Sequence, residues 1–291
     1  MTGAGAQERP TRRFTFCIPG IQKSATSTLS ALLNQHDHVQ RAPTKEMHYF
    51  DKEDKDWAQG DFSDFAVHPR GRRPKIVGDA TPSYLWWPRA LERIHAYDPG
   101  MKMIAIFRDP IERLFSQWVM TVDRWPEQAY DWPRFLTSLA PDGLEDRIPE
   151  GVNVHTYRMQ SGVVRGYYGA QLERGLSMFG KDQFHVMEFR AFLGDYTTAL
   201  DRVTDFLEIP RFETYPPLPH RMPGKGTAVG TAPTGEDIEH LVARYREDFE
   251  KFKVLSGLDV SQWPLERLVD GTLDPEELAG KFAAKVEAPR A

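Results

Sequence analysis

The sequence predicts an α/β fold of three layers, a central mostly parallel sheet flanked by helices, with a P-loop-like turn near the N-terminus. Three observations carry this. Short β-type runs alternate with helical periods along most of the chain. One of those runs, Met101–Phe107, is nearly all apolar, as a strand covered on both faces must be. Two strand-to-helix turns collect hydroxyl, lysine and arginine side chains. The 291 residues suffice for one large domain. Hydrophobic residues at 40%, with 17 Phe, 10 Tyr and 7 Trp, supply the apolar content that disordered chains lack.

Met1–Arg13, rich in Gly, Ala, Thr and Arg, reads as a disordered leader. Phe14–Ile18 is a β-type run closed by Pro19-Gly20, and from Thr26 onward Leu29, Leu32 and Leu33 recur at helical spacing. A second run, Lys75–Gly78, leads through Asp79-Ala80-Thr81-Pro82-Ser83-Tyr84 to a helix over Pro88–Tyr97. The third enters a helix opened by Pro110, which is favoured at a first turn, with Ile111, Leu114, Phe115, Trp118, Val119 and Val122 on one stripe. Residues 124–156 lack a period and read as an insertion over the domain. A helix around Gly166–Met178, a strand at Phe184–Phe189 and a helix at Asp195–Leu207 follow. Pro210–Pro233 is a Pro- and Gly-rich loop before an amphipathic helix from about Glu236 to Leu255. A single domain therefore spans 14–265, and 266–291 forms a peripheral helix or tail.

The 37 basic and 42 acidic residues leave a net charge of −5, so nothing draws the whole molecule to nucleic acid or an acidic membrane. Neither is a predicted partner, and anion binding must be local. Cys17 is the only cysteine, which excludes an intramolecular disulfide and a cysteine-built metal site. No apolar signal core precedes Gly20, and the expected location is cytoplasmic. No metal is expected, because neither His155 nor His220 has ligand spacing and no acidic pair flanks the first turn.

The first turn, Gln22-Lys23-Ser24-Ala25-Thr26-Ser27-Thr28, lies where backbone N–H groups make an anion site cheapest to build. It is not a Walker A loop, since Lys23 stands three residues before Thr26 instead of adjoining the helix hydroxyl. Taken alone it would read as a Thr-capped helix beside a solvated lysine. At the second turn Arg108 stands at the carboxyl edge of the sheet, where open α/β folds bind ligands, and Ser116 lies two helical turns on, off the apolar stripe. A guanidinium and a hydroxyl together suit a phosphate. An Arg–Asp surface ion pair is the plainer alternative.

These residues resemble the sulfotransferases that use 3′-phosphoadenosine 5′-phosphosulfate (PAPS). Lys23–Leu29 looks like the family's 5′-phosphosulfate loop, Lys-x-Gly-Thr-Thr-x-Leu, and Phe107–Ser116 like its 3′-phosphate motif. Lys45-Glu46-Met47-His48-Tyr49-Phe50-Asp51 is similar to the Lys-Glu-x-His-Phe-Phe-Asp block of heparan-type O-sulfotransferases, and Asp79–Tyr84 to their Lys-Thr-Pro-Ser-Tyr element. Ala25 stands where the family usually has glycine, so the loop is expected to work without glycine's positive-φ freedom. The resemblance implies the sulfotransferase fold, PAPS as donor and adenosine 3′,5′-bisphosphate as product. It implies a cofactor site of Gln22, Lys23, Ser24, Ala25, Thr26, Ser27, Thr28, Arg108 and Ser116, with Lys225 and Gly226 in the late loop.

In-line transfer of an uncharged SO₃ group asks less of a metal clamp than phosphoryl transfer does, and leaves the protein mostly positioning and charge stabilisation. Lys23 would stabilise the departing phosphate. The resemblance implies Glu46 as the base, with His48 the other candidate and Lys45 close enough to tune either. In an extended segment Glu46 and His48 would share a face, with Lys45 opposite. The expected acceptor is a hydroxyl, before an amine, on a small or sugar-containing molecule. Trp57, Trp86, Trp87, Trp125 and Trp132 are candidate walls for it. Twenty-five arginines against twelve lysines fit a GC-rich bacterial source, and secondary metabolism as the setting. Two rivals stay open: an ATP-dependent small-molecule kinase on a related P-loop-type fold, and a non-catalytic binding protein that kept the fold.

Overall fold

The computed structural model describes residues 11–69, 76–125, 131–137, 144–219 and 228–287. Its strands are β1 (Arg12–Arg13), β2 (Phe16–Gly20), β3 (Val39–Gln40), β4 (Ala66–Val67), β5 (Ile76–Asp79), β6 (Lys102–Phe107), β7 (Phe184–Glu188), β8 (Ala228–Val229) and β9 (Val286–Glu287). Five of them form the central sheet in the order β3-β5-β2-β6-β7, every neighbouring pair parallel. Gly78 on β5 has no room for a side chain, because the Phe16 ring of β2 lies 2.1 Å from where its Cβ would sit.

Alternation along the strands assigns the layers. Phe16, Ile18, Ile104 and Ile106 face α1 (Thr26–Leu33), and Cys17, Met103, Ala105 and Phe107 face the opposite core. That core contains α2 (Ala90–Tyr97), α3 (Pro110–Arg124), α4 (Trp132–Thr137), α5 (Val154–Gln160) and α6 (Tyr168–Phe179). The short α7 (Phe189–Gly194) and α8 (Tyr196–Phe206) complete the α1 layer through Phe192, Leu200 and Val203. α9 (Gly235–Ser256), α10 (Pro264–Val269) and α11 (Pro275–Ala283) close the second core. The sheet is fully parallel and sandwiched, so its strands are apolar on both faces, as Met101–Phe107 predicts.

Several boundaries differ from the sequence reading: β2 runs on through Pro19 and Gly20, and β8 lies inside the expected Pro210–Pro233 loop. Arg12 and Arg13, assigned to a leader, pair antiparallel with Val67 and Ala66. The segment after Trp263, read as peripheral, buries Leu278 and Phe282, and the Phe282 ring stacks on Phe115 of α3 at 4.2 Å. Residues 124–156 add no strand to the sheet among the described residues, yet Trp132 is fully buried against Trp118, which ties that stretch into the core.

Candidate active site

β2 and β6 are adjacent, and the helices that follow them go to opposite layers, so the crevice beyond their carboxyl ends is the topological switch point of the sheet. Both phosphate-type turns open there. At the first, Lys23 (φ 72) and Ala25 (φ 64) are left-handed, and Ala25 is the N-cap residue of α1 without a side-chain hydrogen bond. The expectation that alanine would deny the loop a positive φ is therefore wrong. Thr28 and Leu29 donate their N–H groups to the Ala25 carbonyl, which leaves those of Thr26 and Ser27 without an intrahelical acceptor.

At the second turn Asp109 is buried, and its carboxylate accepts from the N–H of Glu112 at 2.8 Å and of Leu265 at 2.7 Å. Burial, with Glu112 nearby, pushes its pKa up to about 7. Asp109 thus caps α3, and the carboxylate that pairs with Arg108 within 4 Å is that of Glu112 in place of the expected Asp109. Arg108 donates to the Lys23 carbonyl at 3.3 Å, lies 3.5 Å from Glu112 and sits over the Phe189 ring at 4.8 Å.

The Lys45–Asp51 block is held by the Asp79–Tyr84 element. Met47 N–H donates to Asp79 Oδ1, His48 N–H to Thr81 Oγ1, and Tyr49 N–H to the Tyr84 hydroxyl at 2.9 Å. Ser83 Oγ donates to Asp51 Oδ2 at 2.6 Å. These cross-bonds impose a turn, with His48 at φ 47, where an extended segment was expected. Lys45 consequently joins the other two instead of opposing them: its Nζ donates to Glu46 Oε1 at 2.6 Å, and His48 Nε2 lies 3.3 Å from Glu46 Oε2. His48 Nδ1 is 2.8 Å from Asp51 Oδ2, which also accepts from Arg158 at 2.9 Å.

Electrostatics separates the two candidate bases. Hydrogen bonds that the ring donates to Asp51 first, then to Glu46, raise the pKa of His48 to about 9. Burial opposes ionisation of Glu46, but hydrogen bonds from His48 and Lys45 outweigh it and hold its carboxyl at about 2. At neutral pH the pair is an imidazolium beside a carboxylate. Burial likewise works against Asp51, and His48 and Arg158 keep it ionised.

A cavity of about 730 Å³ joins these pieces. Gln22, Lys23, Ala25, Thr26, Ser27, Lys45, Glu46, His48, Arg108 and Ser116 all line it. Ser24 does not, being fully buried beneath the loop with its Oγ unpartnered, and Thr28 also lies off the wall. Lys225 and Gly226 fall outside the described residues, as does His220. Of the five tryptophans only Trp86 and Trp125 reach the cavity. Trp87 and Trp132 are buried core, and Trp57 packs on Phe50 and Arg93.

The sulfotransferase domain profile matches residues 15–216. The chain belongs to the PAPS-dependent sulfotransferase family. Human heparan sulfate glucosamine 3-O-sulfotransferase 3B1 is 30% identical over 215 residues, covering 73% of this chain and 50% of that protein. Human heparan sulfate glucosamine 3-O-sulfotransferase 6 is 29% identical over 197 residues, 68% of this chain and 53% of that protein. The chain thus spans about half the length of these curated relatives. The crystal structure of a sulfotransferase from Alicyclobacillus acidocaldarius superposes with a TM-score of 0.63 at 23% identity, over 86% of this chain and 98% of that one, which shows the shared fold.

Several cavity residues escaped the sequence reading. Met120 and Arg124 follow Ser116 at intervals of four, so continuing that spacing two steps along α3 finds them. Arg158, Met159 and Arg165 come from elements far along the chain. The one signal for Arg165 is a charge set inside the run Val163-Val164-Arg165-Gly166-Tyr167-Tyr168. Arg165 is 4% exposed, lies over the Trp86 ring at 4.4 Å and donates to Gln22 Oε1, Ser161 Oγ and the Arg158 carbonyl.

Proposed function

We propose that this chain transfers a sulfuryl group from PAPS to a hydroxyl of a small or sugar-containing acceptor, with Glu46 as the base. The observation that carries the reading is the convergence of two anion-type turns and an ionised carboxylate on one cavity. The residues fit the donor. Helix N–H groups, the Thr26 and Ser27 hydroxyls and Lys23 suit a 5′-phosphosulfate, and Arg108 with Ser116 suits a 3′-phosphate. When bound, PAPS supplies the SO₃ group: the sulfur–oxygen bond to the acceptor forms as that to the 5′-phosphate breaks. Glu46 accepts the acceptor's proton, and His48, as the imidazolium, orients Glu46 and keeps it charged. Asp51 and Arg158 fix His48 in turn. Among the described residues no cluster of His, Cys, Asp and Glu could hold a metal ion, and no helix is long and apolar enough to cross a membrane. A cytoplasmic location is part of the reading, supported by the single, buried Cys17.

Calorimetry with adenosine 3′,5′-bisphosphate, AMP and MgATP tests the donor without an acceptor in hand. The bisphosphate should bind at micromolar strength or better and raise Tm, with AMP much weaker, because only the bisphosphate engages both turns. Equal affinities for the bisphosphate and AMP would remove the role of Arg108 and Ser116. Magnesium-dependent binding of ATP in preference to the bisphosphate would restore the kinase reading.

A further inference from the structure

Gln22 and Arg165 form a pair whose chemistry fixes the direction of an amide. A guanidinium only donates hydrogen bonds, so the Gln22 group that meets Arg165 has to be the carbonyl oxygen Oε1, as observed. The amide NH₂ is then the end left to line the cavity, one residue before Lys23. Arg165 itself is more than nine-tenths buried on the cavity wall, and among the described residues no carboxylate pairs with it. Its acceptors are Gln22, the Ser161 hydroxyl and the Arg158 carbonyl, all neutral. Arg113, equally buried, donates to Gln117 and the Gly162 carbonyl and brings no negative charge either.

We infer that Gln22 is a hydrogen-bond donor to the sulfuryl oxygens of PAPS and that Arg165 is the positioning residue that holds its amide in that sense. This rests on the PAPS reading of the cavity and adds to it a polarity. The loop N–H groups and Lys23 serve the phosphate, and Gln22 serves the group that leaves it. A donor there must be neutral or cationic, since the sulfuryl oxygens carry the negative charge. Glutamine turned by an arginine meets that requirement without adding another cation to a wall that already holds Arg158 and Arg165.

Two substitutions test this, and the first moves stability and binding in opposite directions. Gln22→Glu gives Arg165 the carboxylate it lacks, so the ligand-free protein should melt about 2–4 °C higher. The same change replaces the donor with an acceptor, and PAPS should bind at least tenfold more weakly. Gln22→Met keeps length and removes the amide. It should weaken PAPS about five- to tenfold while leaving adenosine 3′,5′-bisphosphate, which lacks the sulfuryl group, within twofold of the parent. A residue that merely supports the loop would weaken both nucleotides together, and that result overturns the inference. So does a Gln22→Glu protein that melts at or below the parent temperature. A parent protein that binds neither nucleotide overturns the PAPS reading itself, whereas the unliganded melting shift still reports on the Gln22–Arg165 pair.

Discussion

The turns after β2 and β6 do similar work by opposite means. Both join a buried parallel strand to a helix at the same edge of the sheet, yet their helix N-termini are treated differently. α1 opens on Ala25, which has no side chain to offer the helix, so its first N–H groups are available to an anion. α3 opens on Asp109, which consumes its own N-terminus, and Pro110, which lacks an N–H. On the proposed reading the second turn therefore binds through side chains, Arg108 and Ser116, both of which line the cavity wall. The difference shows also in strain. The first turn holds two left-handed non-glycine residues, each costing about 1–2 kcal/mol, and the second holds none. A backbone-built anion site gives up capping and relaxed geometry, and a side-chain-built one keeps both.

The largest effect should come from a change that touches neither turn. Glu46→Gln retains shape and a hydrogen bond but cannot take a proton, so turnover should fall about 10²–10⁴-fold with bisphosphate affinity intact. The pH profile sharpens this. With Glu46 as base, its carboxyl ionised above about 2, activity stays level through neutrality and declines as His48 loses its proton near 9. With His48 as base, activity would instead climb toward pH 9. Near-normal turnover in Glu46→Gln would transfer the role to His48, and near-normal turnover in His48→Gln as well would reduce the Lys45–Asp51 block to structure alone.

Next in size, Arg108→Ala should cost about 2–4 kcal/mol in binding adenosine 3′,5′-bisphosphate and little in binding AMP, which titration calorimetry reads directly. Comparable losses for both nucleotides would mean that the turns do not divide the phosphates between them. Stability should then separate the caps. Asp109→Ala removes the α3 cap and strands the Leu265 N–H, lowering unfolding free energy by about 1–2 kcal/mol. Ala25→Gly, the smallest change, should raise it by about 0.5–1 kcal/mol by relieving the left-handed strain, which denaturant titration can resolve. If Ala25→Gly destabilises, the first turn is not strained and the contrast between the two fails.

Much of the fold and the outline of the candidate site are legible in the sequence. The strands at Phe16–Gly20 and Lys102–Phe107 and the Pro110 helix announce themselves through local rules, apolar runs and first-turn proline, that depend on near neighbours in the chain. Glu46, His48, Lys23, Arg108 and Ser116, which line one cavity, stand out in the sequence because each sits in a short block of chemically consistent residues. The Lys45 side chain was misplaced because an isolated stretch has no reason to turn. Hydrogen bonds from its backbone to Asp79, Thr81 and Tyr84, more than thirty residues on, make it do so.

By itself, then, the sequence determined the alternation of strands and helices, the parallel sheet and the positions of the two phosphate-type turns, since these follow from periodicity and local geometry. Tertiary structure decided which groups meet: Arg158 across 107 residues to Asp51, and Arg165 across 143 to Gln22. It also decided which candidate base is charged, because the protonation of His48 depends on a carboxylate and a guanidinium that only folding brings within 3 Å of its ring. Electrostatic energy falls with distance in space, and distance along the chain does not report it.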